Sequence, residues 1–387
     1  MSIGKVRFLK SLNIAFLCLG FSIISGFKDS SRSSPTEAFK PHMQSLYVSL
    51  TKLIAFALVD EDKLTDSQKK TIEAQILNLS QQAEEVRKIA KFSDKSHEFL
   101  AQELERNARL SYSNFRQGKI SQARFFITDV ANTCYSCHTS RQGETDSSFA
   151  SNFNKGVDIS SFDLLARARF FTLSRQFELA EINYEKLLSS HASSIDELVN
   201  VDPILEYLIV SIRVRHDIKK SLEFLKSIVS KNYPEVVKND LRHWIVALEQ
   251  NKSIQANESS LTVAKDLVSK ARELSEFPAD RSGMVQYILA SKILINHLAK
   301  RGVLQSELAE TYFELGRCER IIGNKLFADE SSSYFENAIR LAPKTDLARK
   351  AFSRYEENIV SGYTGSSGTS LPEDERTKLS ELRKLAY

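Results

Sequence analysis

Apolar side chains recur at alternating steps of three and four residues through the N-terminal part of the chain. From Glu37 to Leu58 the stripe is Met43, Leu46, Tyr47, Leu50, Leu53, Ile54 and Ala57. A second stretch opens on Thr65–Gln68, where hydroxyl and carboxamide can close a capping box, and continues with Ile72, Ile76, Leu79, Ala83, Val86 and Ala90. A third, Asp94 to Arg116, carries Ala101, Leu104, Ala108, Tyr112 and Phe115, and Gly118 breaks it. A fourth carries Ile120, Ala123, Ile127, Val130, Cys134 and Cys137. This spacing puts one apolar stripe along each helix. Four such helices with short joins predict an antiparallel four-helix bundle.

Residues 139–158 are polar and loose and mark a boundary. From Ile159 to about Asn358 the pattern is of helix pairs. Phe171, Ala180, Tyr184 and Leu187 in the first pair, and Leu315–Gly316, Phe335, Ala338 and Pro343 near the end, resemble the tetratricopeptide repeat. The units between them, around Ile204–Val229, Leu241–Leu248 and Met284–Leu298, are degenerate. The resemblance implies an α-solenoid whose stacked pairs offer a concave surface to a protein partner. A Gly- and Ser-rich link from Gly362 to Pro372 leads to a last helix, Glu373 to Tyr387, charged on most faces. The expected chain is all-α: residues 1–27 an address segment, 28–145 the bundle, 146–360 the repeats, and 361–387 the link and terminal helix.

Lys5, Arg7 and Lys10 precede an uncharged run from Ser11 to Phe27, the layout of a secretory signal. No small-x-small cleavage site follows, so an uncleaved N-terminal membrane anchor is the alternative. Either way the body is expected in a periplasm or another exported location. Cys18 lies inside the apolar run behind Leu17, which is too large for a lipoprotein signal. The 387 residues carry 53 basic and 49 acidic side chains, a balance that disfavours nucleic acid as a partner. Four cysteines exclude a disulfide scaffold. No G-x-S-x-G, Walker loop, H-E-x-x-H or glycine-rich nucleotide turn occurs, so nothing points to a hydrolase or kinase.

Residues 134–138 read Cys-Tyr-Ser-Cys-His, and C-x-x-C-H is the attachment site of c-type haem. Two thiols three residues apart lie on one helical face and can add to the two vinyl groups of the porphyrin, while His138 reaches the iron. A thioredoxin-like pair would open a helix after a strand, and zinc would need further ligands at zinc spacing; a plain disulfide is the remaining alternative. In an up-down-up-down bundle the first turns of helix one lie where helix four ends. Met43, on the stripe there, is the candidate sixth ligand of the iron. His42 is its competitor, about 100° off the stripe. If neither binds, the iron is five-coordinate and open to small gases.

On these residues, Pro35 to Gly143 resembles the cytochrome c-prime family of four-helix-bundle cytochromes. Cys134, Cys137 and His138 match its motif at the end of the last helix, and Met43 matches the methionine of its low-spin members. The chain departs from the family after His138: Thr139-Ser140-Arg141 lacks the usual aromatic and brings the arginine one step early. The resemblance implies one covalent haem c and a redox partner protein. Electron transfer is the expected role, rather than catalysis. A haem-based gas sensor and a haem-stabilised scaffold are the alternatives. His97, His191, His216, His243 and His297 are isolated on helices, and Cys318 is expected to be a buried, inert thiol.

Overall fold

A computed structural model describes residues 35–58, 64–90, 95–139, 159–190, 202–275, 280–300, 302–323, 330–366 and 368–387. Apart from one two-stranded hairpin, these residues form helices and their connections, as the periodicity predicts. Residues 1–27, read in sequence as an expected address segment and including Cys18, lie outside the described residues, as do Arg141 and most of the polar 139–158 stretch. Among those described, no helix is long and apolar enough to cross a membrane.

The first four helices are α1 (Pro35–Leu58), α2 (Asp66–Ala90), α3 (Lys95–Arg116) and α4 (Ile120–Thr139). The capping box at the start of α2 closes reciprocally: Thr65 N–H donates to Gln68 Oε1 at 2.9 Å and Gln68 N–H to Thr65 Oγ1 at 3.3 Å. Gly118 turns the chain after α3 with φ 74°, a left-handed conformation open to glycine at no steric cost. Helix α1 packs on α2 and α4, and α3 packs on the same two. The stripes read from sequence are the surfaces that meet. Leu46, Leu50 and Leu53 of α1, Ile76, Leu79 and Ala83 of α2, Leu104 and Ala108 of α3, and Ile127 and Val130 of α4 are buried together.

A short 3₁₀ turn, Ile159–Ser161, leads to α5 (Leu164–Leu173) and α6 (Phe177–Ser189). Then α7 (Pro203–Leu208) runs directly into a π-helical segment, Ile209–Val214. There follow α8 (Ile218–Ile228), α9 (Glu235–Asn251), α10 (Leu261–Leu274), α11 (Met284–Leu298), α12 (Gln305–Gly323), α13 (Ser331–Leu341) and α14 (Asp346–Gly362). Several helix starts are fixed by side chains that accept the orphan N–H groups, as where Asp163 Oδ1 takes Ala166 N–H at 2.7 Å and Thr345 Oγ1 takes Ala348 N–H at 3.2 Å. Partners are sequential: α5 with α6, α8 with α9, α10 with α11, α12 with α13, α13 with α14. Helices two apart also meet, α9 with α11, α10 with α12 and α12 with α14.

The strands β1 (Thr364–Gly365) and β2 (Gly368–Thr369) form a minimal antiparallel hairpin before α15 (Glu373–Ala386). Charged on most faces in sequence, α15 buries the stripe Leu379, Leu382 and Ala386 against Phe335, Phe352 and Tyr355 of α13 and α14. The main apolar core is continuous from Leu46 in α1 to Tyr334 in α13. The rings of Tyr47 and Phe170, 5.3 Å apart, join α1 to α5 across the expected domain boundary.

Candidate functional site

The Cys-x-x-Cys-His segment forms the last two turns of α4. At about 100° per residue, Cys134, Cys137 and His138 occupy one arc of the helix, and Tyr135, Ser136 and Thr139 the opposite one. Burial follows this division. Cys134, Cys137 and His138 are half-buried, whereas Tyr135, Ser136 and Thr139 are buried. Neither sulfur is in a disulfide. Loss of solvation, with the neighbouring Cys137 sulfur adding to it, pushes the Cys134 thiol up to about 12. At neutral pH that sulfur therefore holds its proton.

Packing fixes the direction of α1 against this helix. The Arg124 guanidinium, near the start of α4, sits over the ring of Phe56, near the end of α1, 5.0 Å from its centroid. The two helices therefore run in opposite senses, and the early turns of α1 lie toward the Cys134 end of α4. Met43 is half-buried there and packs on the same core that Cys134 borders. His42 is turned to α2, its Nδ1 2.8 Å from Gln82 Oε1. The structure thus places the two thiols and the imidazole on one face of α4, and Met43 on α1, which packs on α4.

Sequence reasoning missed a set of charged residues contributed by the second half. Arg175 sits in the turn between α5 and α6 with φ 59°, a left-handed backbone uncommon for a side-chain-bearing residue. It lies near enough to Cys137 for the two to interact electrostatically, while burial pulls the guanidinium below its ordinary value. Behind α4, Arg213 donates from Nη2 to Thr139 Oγ1 at 2.9 Å and from Nη1 to both Glu319 oxygens at 2.9 and 3.1 Å. The Glu206 carboxylate takes Tyr184 O–H at 2.6 Å and Arg169, and the Glu206 carbonyl takes Tyr135 O–H at 3.4 Å. A signal for them was present. Glu206 and Arg213 are the two charges in the otherwise uncharged run Pro203–Val214, and charges in such a run must be paired when buried.

Cys318 is fully buried on α12, its thiol pushed well above the ordinary value by loss of solvation. Among the described residues no group of three or more His, Cys, Asp and Glu side chains converges as a binding set for a bare metal ion. Comparison of the chain with protein-family models, with curated proteins and with solved structures returns no match.

Proposed function

We propose that this chain is an exported monohaem c-type cytochrome that carries electrons to or from a protein partner. One observation carries the reading: two cysteines one turn apart on a single face at the end of α4, followed directly by a half-buried histidine. The residues suit the group. Cys134 and Cys137 would each add S–H across a vinyl double bond, the sulfur bonding one carbon and the proton going to the other, with nothing leaving. His138 and Met43 would hold the iron. Arg175 would bring a cation near Cys137. When bound, haem supplies a one-electron couple. The chain's own residues fix the ligands and keep the site partly dry.

The ring of contacts among α1 to α4 supports a cytochrome c-prime-like four-helix bundle, and the pairwise stacking of α5 to α14 supports a tetratricopeptide-like solenoid. The basic and apolar order of residues 1–27 supports export to a periplasm, by cleaved signal or retained anchor.

Intact mass of the full chain, exported from a host that matures c-type cytochromes, tests the reading. The expected mass is the polypeptide plus one haem, with a visible absorption spectrum. Colourless protein with the bare polypeptide mass would refute it. A reduced spectrum that changes at once on adding CO would favour an open-iron sensor instead.

A further inference from the structure

The arc of α4 that faces away from the thiols is held by the second half of the chain, and by three separate elements of it. Tyr135 reaches α7 through the Glu206 carbonyl. The Ser136 hydroxyl faces the Glu330 carboxyl, immediately before α13. Thr139 accepts from Arg213 in the π-helical segment. Each anchor is itself fixed: Glu206 by Arg169 and Tyr184, Glu330 by Tyr334, and Arg213 by Glu319. The C-terminal turns of α4 are thus seated in the second half.

We propose that Arg213, acting through Thr139, is a positioning residue that sets the last turn of α4 and with it His138. The proposal rests on the reading of Cys134, Cys137 and His138 as a haem site. Three observations lead to it. First, Arg213 is only 4% exposed, and an ion pair so buried does little for stability that apolar packing would not do as well. What a guanidinium adds is a rigid fork that bonds two partners at once. Here one arm is on Glu319 and the other on Thr139, the residue that follows His138.

Second, Thr139 is tied on both sides. Its hydroxyl donates back to the Tyr135 carbonyl at 3.0 Å while it accepts from Arg213. Pulling on that hydroxyl pulls on the backbone turn between Tyr135 and Thr139, which contains Cys137 and His138. Third, Arg213 is carried by a π-helical segment. Arg215 N–H bonds to Val210 O at 3.0 Å and Asp217 N–H reaches Ser211 O at 2.8 Å. Such segments are rare, and they re-aim the side chains they carry. Lys292, buried on α11, donates to the Arg213 carbonyl at 3.1 Å and fixes that backbone in turn.

The test uses the full haem-loaded chain with Thr139→Val, which removes the hydroxyl at nearly constant shape, Thr139→Ser, which keeps it, and Arg213→Gln. Two properties are read: amide hydrogen exchange of residues 134–139 and the low-spin fraction of the iron from its visible spectrum. Thr139→Val and Arg213→Gln are expected to speed exchange of that segment about tenfold, leave α1 to α3 unchanged, and lower the low-spin fraction. Thr139→Ser restores both. Unchanged exchange and spectrum in Thr139→Val would overturn the proposal, as would equal loss in Thr139→Val and Thr139→Ser. Protein without haem by mass would defeat the functional reading instead, and the exchange measurement on that same protein would still decide whether Arg213 seats the turn.

Discussion

Tyr334 donates its hydroxyl hydrogen to Glu330 Oε2 at 2.9 Å, inside the chain and directly behind α4. Burial, with the Glu319 carboxylate adding to it, pushes the Glu330 carboxyl up to about 7, and Arg213 only partly opposes this. A carboxyl raised in this way keeps its proton in the folded chain where the unfolded chain has released it. The stability it contributes is complete below the ordinary value of 4.5 and is lost as pH rises through about 7. Asp129 and Asp240, each pushed up to about 6 by burial, act with the same sign. Glu330→Gln stays neutral and keeps an acceptor for Tyr334, so it should flatten the loss of stability across that window by up to about 1.4 kcal/mol per pH unit. Urea unfolding at a series of pH values measures the slope; identical slopes in both proteins would contradict the assignment.

Met43 is the residue through which the proposed iron site is most simply probed. It packs half-buried on the core beside α4, so Met43→Ala removes a thioether without disturbing the attachment residues. The expected protein keeps its haem by mass and shifts its visible spectrum toward high spin. Truncation of a Met that is only partly buried should lower stability by less than the ~2–5 kcal/mol seen at fully buried positions. A low-spin spectrum that survives the change would remove Met43 from the iron, and His42→Ala, which breaks the contact with Gln82, would be the next variant to examine.

Thiol accessibility separates the three cysteines of the described chain. Cys318 is fully buried and its thiol is raised, so it should resist alkylation in the native protein and react only on unfolding. Of Cys134, Cys137 and Cys318, unfolding of haem-loaded protein should therefore expose Cys318 alone, because the other two are consumed as thioethers. Apo protein should show all three once unfolded. Peptide mapping after alkylation reads this directly, and a label on Cys134 or Cys137 in coloured, unfolded protein would show that the link is not covalent at that sulfur.

Helix positions and their apolar stripes were legible because local periodicity and burial agree: Leu46, Ile76, Leu104 and Ile127 are core residues on page and in space. The C-x-x-C-H segment was legible because its chemistry depends on spacing within one helix. The back of the site was not. Arg213 meets Thr139 across 74 residues and Glu319 across 106, pairings that no local pattern encodes. The π-helical segment that aims Arg213 has the composition of an ordinary buried helix, Ile209 to Val214, so its register change is invisible in sequence. The terminal helix was legible only in part: Leu379, Leu382 and Ala386 form a narrow stripe among many charges, and only the faces of α13 and α14 show what it covers.

Gly316 on α12 lets the ring of Phe335 on α13 come closer than any side chain would allow. A Cβ on Gly316 would stand 2.7 and 2.8 Å from two ring carbons of Phe335, which is itself fully buried. Two effects of Gly316→Ala oppose one another. Alanine favours the helix by ~1 kcal/mol over glycine. Overpacking a filled site costs about 1–3 kcal/mol, because the neighbour must leave its rotamer or the helices must part. Phe335 has no solvent-facing side to which it can swing, so the steric term should prevail and the net loss should be about 1 kcal/mol. Gly316→Val adds two further carbons and should cost more, in the range of ~2–4 kcal/mol. Denaturant midpoints measured on the full chain give both numbers, and Phe335→Leu in the Gly316→Ala background should recover part of the loss by shortening the ring that stands in the way. An alanine variant more stable than the parent would mean that α12 and α13 can separate freely, and that the close crossing between them is not a fixed part of the fold.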